Sequence, residues 1–510
     1  MRKLLKFLTG RLFISLVLIL LQLAVLINIF GFAKNDAFWI QALSTLSIIM
    51  ALVVVTRDLN PAYKIGWMLI FMIIPIYGGI LYIFFGNRKM NGVIRDRLKD
   101  FNTLYEEGMA QVPLPDGLPM QALESYDPLL ARQAQYIDNT SGFSLWSNTE
   151  VQYFALGEEW ILDVLEELKK AKSFIFMEFF IIGVGEVWNA VLAILLEKIN
   201  EGVVVKLMFD DVGSILDIPP HYERTLRSLG LEVVAFNPLR AHFNSRLNSR
   251  DHRKVLVIDG NVGYTGGVNI ADEYANRKIK YGHWKDTAVK LKGDAVWNLT
   301  LMFLQLWSFS SRERFDFSQF RPTVKYKTDG FVQPFGDNPL DNQNVGENAY
   351  LQIINMAKHY VWITTPYLIL DNEMVTALKL AAQSGVEVCI ITPHIPDKWY
   401  VFAVTRDNYY SLLSEGVKIF EYSPGFIHSK MFVSDDKVAI IGTINMDYRS
   451  FYLHFENGVL FYGSSVVKTV KEDMEQVLEV SQQITLEYLN KRMIYKKLAG
   501  TLLRLAAPVL

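Results

Sequence analysis

Apolar positions are spread unevenly along the 510-residue chain. Three runs without a charged residue lie near its start: Leu12–Phe32, Ala37–Thr56 and Ile65–Phe85, the last interrupted by Pro75 and by Gly78-Gly79. At 1.5 Å per residue, a helix over either of the first two reaches about 30 Å, the thickness of a bilayer core. The first run is too long for a signal-peptide core, and no small-residue cleavage site follows it. The pattern predicts a helical hairpin with spans at about 12–32 and 37–56, then a broken segment at 65–85 that is re-entrant or interfacial. Together these make residues 1–100 a membrane region.

The body alternates differently. Gln111–Pro119, with three prolines and a glycine, reads as irregular, so 101–130 is expected to be a linker. Beyond it, two stretches share one order of elements, 131–330 and 331–490. In the first, the apolar run Phe174–Ile182 predicts a buried strand, Val187–Asn200 a helix ending at Gly202, and Val203–Phe209 a second strand. In the second, Tyr360–Leu370, Glu373–Gln383, Gly385 and Val386–Thr392 repeat that order, and a further helix and strand lead to Tyr422. This is βαβ, with parallel strands and right-handed crossovers. The expected fold is α/β: two duplicated halves with a site at their seam, plus the N-terminal helical region. Residues 491–510 form an amphipathic segment, with Leu498, Leu502 and Leu505 at helical spacing among Arg492, Lys496, Lys497 and Arg504. It predicts either a second lipid contact or a helix packed on the body.

Charge sharpens the membrane reading. The net charge of −2 hides 12 Lys+Arg against 4 Asp+Glu in residues 1–100, and 39 against 49 in the rest. A basic, apolar N-terminus on an acidic body points to an anchor at anionic lipid and away from nucleic acid. Arg2, Lys3, Lys6 and Arg11 precede the first run, and Arg88, Lys89, Arg95, Arg97 and Lys99 follow the third. Two crossings keep both clusters in the cytoplasm with the body; three crossings, with the body outside, are the alternative. The single cysteine, Cys389, lies in an apolar strand and excludes an intramolecular disulfide and a cysteine-rich metal site.

Each half then carries the same chemistry. His252, Lys254, Asp259, Gly266 and Asn269 recur as His428, Lys430, Asp435, Gly442 and Asn445, at offsets of +2, +7, +14 and +17 from the histidine. Histidine and lysine two apart on a strand face the same way. Asp259-Gly260-Asn261 and Asp435-Asp436-Lys437 suit hairpin turns, and the returning strands bring Asn269 and Asn445 back toward the histidines. Two imidazoles, two ammoniums and two carboxamides suit phosphoryl or phosphatidyl transfer: one imidazole attacks phosphorus, the other protonates the leaving oxygen, and the lysines and asparagines neutralise the phosphoryl oxygens. No metal or other cofactor is expected, because a lysine beside each histidine repels a divalent ion. Of the other histidines, His221, His242, His283, His359 and His394 read as surface or structural, while His454, close to Glu456, keeps a site role as an alternative. Glu178 is either a wall of the site or a satisfied structural group.

The paired pattern resembles the HKD motifs of the phospholipase D superfamily. Within it, the bacterial cardiolipin synthases are similar over nearly the whole chain: Asn248–Lys254 and Tyr264–Asn269 match their first motif, Gly425–Lys430 and Gly442–Ser450 the second, and Asn60–Trp67 the membrane region. The resemblance implies a phosphatidyltransferase of the bacterial cell membrane. Two phosphatidylglycerol molecules would give cardiolipin and glycerol through a phosphatidyl-histidine. His252, Lys254, Asp259, His428, Lys430 and Asp435 are the motif residues it carries over as catalytic, with Asp259 and Asp435 bracing the hairpins. Asn269 and Asn445 bind the substrate phosphate. Asp286 is implied as the carboxylate partner of His252, Glu456 as that of His428, and His252 as the nucleophile. A phospholipase D that gives phosphatidic acid, a phosphodiesterase or nuclease, and a membrane scaffold are the competing readings.

Overall fold

A computed structural model of the protein describes residues 37–57, 61–73, 118–238, 249–327, 329–340 and 343–491, with a few isolated positions besides. The described residues fall into two compact units.

The smaller unit contains helices Ala37–Val55 and Pro61–Ile73. The first occupies the second predicted span; the first predicted span lies outside the described residues. Val54, Trp67, Phe71 and Tyr82 form a small aromatic-rich core, and the Ser47 hydroxyl donates to the Phe71 carbonyl at 3.0 Å. Leu46, Ile48, Ile49, Leu52, Val53 and Val55 face outward. Among the described residues no helix is long and apolar enough to cross a membrane.

In the larger unit, a helix lies within the stretch expected to be a linker. Leu118–Tyr126 is helical, with Pro119 in the first turn, where its missing N–H has no bond to make. Helix Pro128–Ser141, placed by the sequence at the start of the first half, packs on the second: Gln133 Nε2 donates to the Ala349 carbonyl at 3.0 Å.

In the first half, β1 (Thr149–Phe154), β2 (Phe174–Phe179), β3 (Val204–Asp210), β4 (Glu232–Phe236), β5 (Lys254–Ile258), β6 (Val262–Gly266) and β8 (Ala288–Gly293) form a sheet ordered β1-β8-β6-β5-β2-β3-β4, with β7 (His283–Lys285) outside it. In the second, β9 (Phe331–Asp337), β10 (Tyr360–Thr364), β12 (Glu387–Pro393), β13 (Lys418–Tyr422), β15 (Met431–Ser434), β16 (Val438–Gly442), β18 (Glu456–Tyr462) and β19 (Ser481–Ile484) are ordered β19-β13-β12-β10-β15-β16-β18-β9. Short strands β11 (Leu368–Ile369), β14 (Gly425–Ile427) and β17 (Met446–Asp447) lie outside that sheet.

The duplication is visible in the pairing. β2 runs parallel to β3 and antiparallel to β5; β10 runs parallel to β12 and antiparallel to β15. Central β2 is buried on both faces, as its apolar run requires. Helices Glu186–Asn200 and Asn372–Gln383 make the crossovers. Gly202 and Gly385, both at φ +91°, turn each chain back into the sheet. Helix Val296–Ser311, buried along nearly its whole length, packs on both sheets.

The hairpin turns also match. Asp259 and Gly260 have φ of 52° and 68°, Asp435 and Asp436 of 54° and 55°, the left-handed conformation of a type I′ turn. The Asp259 carboxylate accepts the backbone N–H groups of Lys172, Ser173 and Phe174 at 2.8–3.0 Å. That of Asp435 accepts those of Lys358, His359 and Tyr360 at 2.6–3.0 Å. These aspartates tie each hairpin to the entry of its central strand. They sit at the strand ends remote from the histidines, which removes them from the catalytic set and leaves them as braces. Asp259→Ala or Asp435→Ala is expected to cost about 1–3 kcal/mol of stability, from the loss of three hydrogen bonds to a charged acceptor. Thermal melts should fall while the specific activity of the folded fraction holds; a lost activity at unchanged melting temperature would contradict the bracing role.

Candidate active site

The two histidines occupy equivalent places, just ahead of β5 and β15, at the C-terminal ends of β2 and β10. Their main chains cross the seam. The His428 N–H donates to the Lys285 carbonyl at 2.7 Å, continuing the parallel pairing of β14 with β7. The His252 N–H donates to the Phe455 carbonyl at 2.9 Å, beside the Asp251–Phe455 bridge. The residue after each accepting carbonyl is a carboxylate, Asp286 in one case and Glu456 in the other.

This geometry reverses the expected partners. His252 Nδ1 lies 2.9 Å from both carboxylate oxygens of Glu456, and His428 Nδ1 lies 2.6 Å from Asp286 Oδ2. Each half supplies the carboxylate for the other half's histidine. Proximity in sequence within a half misled the assignment, because the pairing runs through contacts between halves. Thr443 adds its hydroxyl to Glu456 at 2.5 Å, and the Thr287 N–H donates to Asp286 Oδ1 at 2.9 Å.

The remaining motif residues converge as expected. The Lys254 ammonium donates to the His252 carbonyl at 2.6 Å, and that of Lys430 to the His428 carbonyl, so each lysine keeps donors to spare. Asn269 Oδ1 accepts from the Ile181 N–H at 3.0 Å. Its Nδ2, like Oδ1 of Asn445, is buried with no hydrogen-bond partner among the described residues. Such orphaned groups ask for a ligand or a water.

Burial and charge set the protonation states. Burial, with Lys254 adding to it, holds His252 down to about 3; burial and then Lys430 hold His428 down to about 4. Burial raises Asp286 and Glu456, but the facing imidazoles outweigh it and both carboxyls end below their ordinary range. We take the carboxylates as ionised and the imidazoles as neutral, with each proton on Nδ1 and the Nε2 lone pair free. Burial also lowers Lys254 to about 8 and Lys430 to about 7.

Residues 164–281 and 350–478 match the family model described as cardiolipin synthase, PLD-like domain, and residues 45–87 match the phospholipase D-nuclease N-terminal model. A cardiolipin synthase of Halalkalibacterium halodurans is 33% identical, across 94% of this chain and 97% of its own. One of Geobacillus kaustophilus is 35% identical, across 96% and 99%. The chain belongs to the cardiolipin synthase family of the phospholipase D superfamily. An uncharacterized protein of Streptococcus mutans serotype c is 38% identical across 90% of this chain and 99% of its own. The crystal structure of phosphatidylserine synthase from Haemophilus influenzae Rd KW20 shares the fold, with a TM-score of 0.59 at 15% identity, covering 74% of this chain and 99% of that one.

Around this cardiolipin synthase motif pair the walls differ. Trp284, two residues before Asp286, packs against His428 at 5.4 Å between ring centroids, and Tyr274 does so at 5.4 Å. His454, two residues before Glu456, stands at 5.7 Å from His252, and Phe180 at 5.0 Å. The −2 spacing from each carboxylate was a signal in the sequence that reasoning from the HKD motifs alone did not use. Both ring nitrogens of His454 are buried without a hydrogen bond, though Nδ1 lies 3.6 Å from Glu456 Oε1. His252, His454 and Glu456 bring ligand atoms within 4.8 Å of one another, a set of the kind that can hold a metal ion. Lys254 beside His252 opposes a divalent cation there. Glu178 is fully buried and pairs with Arg253 Nε at 2.7 Å, and strand alternation turns Arg253 to it. Cys389 is buried in β12, which raises its thiol to about 12.

Stability should carry the mark of the two depressed histidines. Below their ordinary value of 6.5 the unfolded chain binds protons that the folded chain refuses, so stability is lost as pH falls from about 6.5 toward 4. A double His252→Asn, His428→Asn variant is expected to show a shallower drop in melting temperature between about pH 7 and pH 4.5 than the parent. An equal drop in both proteins would refute it.

Proposed function

We propose that the protein is a membrane-associated phosphatidyltransferase that joins two phosphatidylglycerol molecules into cardiolipin and releases glycerol. The observation that carries this reading is the crossed pair of carboxylate-held imidazoles, each with an attendant lysine, in a chain similar over most of its length to cardiolipin synthases. The geometry suits two-step displacement at phosphorus. His252 Nε2 attacks, the P–O bond to the departing glycerol breaks, and His428 supplies the proton to that oxygen. The hydroxyl of a second phosphatidylglycerol then loses its proton to His428 and attacks phosphorus, breaking the P–N bond and freeing His252. His428 rests neutral, and the anionic phosphodiester favours its protonated form as substrate binds. Lys254, Lys430 and the side-chain N–H groups of Asn269 and Asn445 donate to the phosphoryl oxygens. The choice of His252 as nucleophile draws on resemblance to enzymes whose first motif supplies it. The proposed topology, two spans with the body in the cytoplasm, draws on the basic flanks and on the outward apolar face of helix Ala37–Val55.

Purified protein given phosphatidylglycerol alone should yield cardiolipin and free glycerol; phosphatidic acid as the sole product would instead favour the hydrolase. Activity should survive chelation at fixed ionic strength.

The crossed partners make a sharper test. Brief incubation with labelled lipid, then denaturation above neutral pH, should leave phosphatidyl label on the His252 peptide. Glu456→Gln should slow that labelling by roughly 10²-fold, the scale of a lost general acid–base contribution. Asp286→Asn should slow it far less when the leaving alcohol is acidic enough to depart unprotonated. Label on the His428 peptide would exchange the two roles.

A further inference from the structure

The reacting groups are buried, so a lipid headgroup must reach them through the loops above the C-terminal ends of the parallel strands. Those loops carry large apolar side chains in water. Leu216, after β3, is 92% exposed; Ile279, in the loop before β7, 82%; and Trp399, after β12, 71%. Val184, Ile215 and Ile395 are exposed beside them.

These residues form one rim. The Val184 N–H donates to the Asp217 carbonyl at 3.0 Å, which joins the loop after β2 to the one bearing Ile215 and Leu216. Asp217 feels the charges of Lys278, Lys280 and Glu273 from the Ile279 loop. Ile395 lies against Gly282 at the foot of that loop, four residues before Trp399. The loop is clamped shut: Asn276 Nδ2 donates to the Trp284 carbonyl and the Trp284 N–H to Asn276 Oδ1, at 2.9 and 2.7 Å. The same Trp284 packs on His428. Ile279 is therefore the tip of a closed loop whose base is a wall of the site.

Charge says what the rim meets. Ile279 sits in Arg277-Lys278-Ile279-Lys280, all four exposed, and Lys398 precedes Trp399. Of the anions nearby, Glu273 holds Lys280 at 2.8 Å, Asp397 takes the Tyr367 hydroxyl at 2.5 Å, and Asp217 lies in the field of Lys278 and Lys280. Apolar tips set among lysines and arginines, with a tryptophan, are the composition of an element that inserts at an anionic bilayer interface.

We propose that the rim of Leu216, Ile279 and Trp399 is an interfacial docking surface of the catalytic body: it dips into anionic lipid so that a headgroup passes to the histidines without the acyl chains entering water. This deepens the phosphatidyltransferase reading and rests on it for the substrate, but its test needs no turnover.

In a Cys389→Ser background of the full chain, single cysteines at 216, 279 and 399 would each carry an environment-sensitive fluorophore. Leu380, exposed near the C-terminus of helix Asn372–Gln383 and so at the opposite strand ends, is the control position. The protein is reconstituted in phosphatidylcholine vesicles with and without phosphatidylglycerol, using lipids brominated on the acyl chains. Labels on the rim should shift to the blue and be quenched at least about twofold more than the label at 380, more so with phosphatidylglycerol present. Equal quenching at rim and control positions overturns the proposal. So does a blue shift that follows protein concentration and escapes the brominated lipid, which would mark contact between copies. The triple variant Leu216→Ser, Ile279→Ser, Trp399→Ser should lose about tenfold activity on vesicles, equivalent to about 1.4 kcal/mol. It should keep its rate on short-chain phosphatidylglycerol dissolved as monomers, and loss on both substrates would count against an interfacial role. If the quenching appears but no cardiolipin forms, the docking surface stands and the transferase reading falls.

Discussion

Everything at the centre of this molecule hangs on an exchange across the seam. Each imidazole is oriented twice by the opposite half, once through its backbone N–H to a carbonyl and once through Nδ1 to a carboxylate on the next residue. Because carbonyl and carboxylate are neighbours in sequence, the main-chain bond dictates where the charged group arrives. A shift of one residue in the pairing of β14 with β7 would move Asp286 out of reach and turn its side chain to the other face.

Such a seam buries many charges, and among the described residues several of them are paired across it. Lys285 lies between the Ala155 carbonyl and Asp473, and Asp473 also takes the Tyr153 hydroxyl. Buried pairs of this kind add little net stability over apolar packing, but they penalise any docking that leaves one member alone. The two halves solve the same problem with different chemistry. Where the first has Glu178 against Arg253, the second has a Ser429 hydroxyl donating to Thr364 at 3.0 Å. The halves are thus symmetric in backbone and unsymmetric in the polar groups that support it. The contrast of His454 on one imidazole with Trp284 on the other belongs to the same pattern.

Much of this was legible beforehand. The βαβ order followed from apolar runs bounded by Gly202 and Gly385, because a buried parallel strand leaves so plain a signature. The motif residues followed from a spacing repeated twice. What the residues did not disclose was long-range. Asp286 and Glu456 were recognisable as partners, yet their assignment depended on which strands meet at the seam. The bracing by Asp259 and Asp435 was foreseeable from the turns, whereas the helix that starts at Leu118 was hidden by Pro119, a residue that breaks helices inside but suits their first turn. His454 carries little signal in the sequence, because a histidine near a glutamate is commonplace and its meaning depends on which imidazole that glutamate holds.

The crossed pairing also bears on how the protein is made. His252 and Glu456 are 204 residues apart. At a synthesis rate of about 5–20 residues per second, roughly 10–40 s separate the emergence of the two. For that interval the first half carries its histidine and lysine without the carboxylate that orients the ring. His428 cannot be held either until β14 docks on β7. A nascent chain beside the membrane that feeds it substrate thus holds no working pair of imidazoles, and chemistry toward lipid begins only once the last strands have closed the seam.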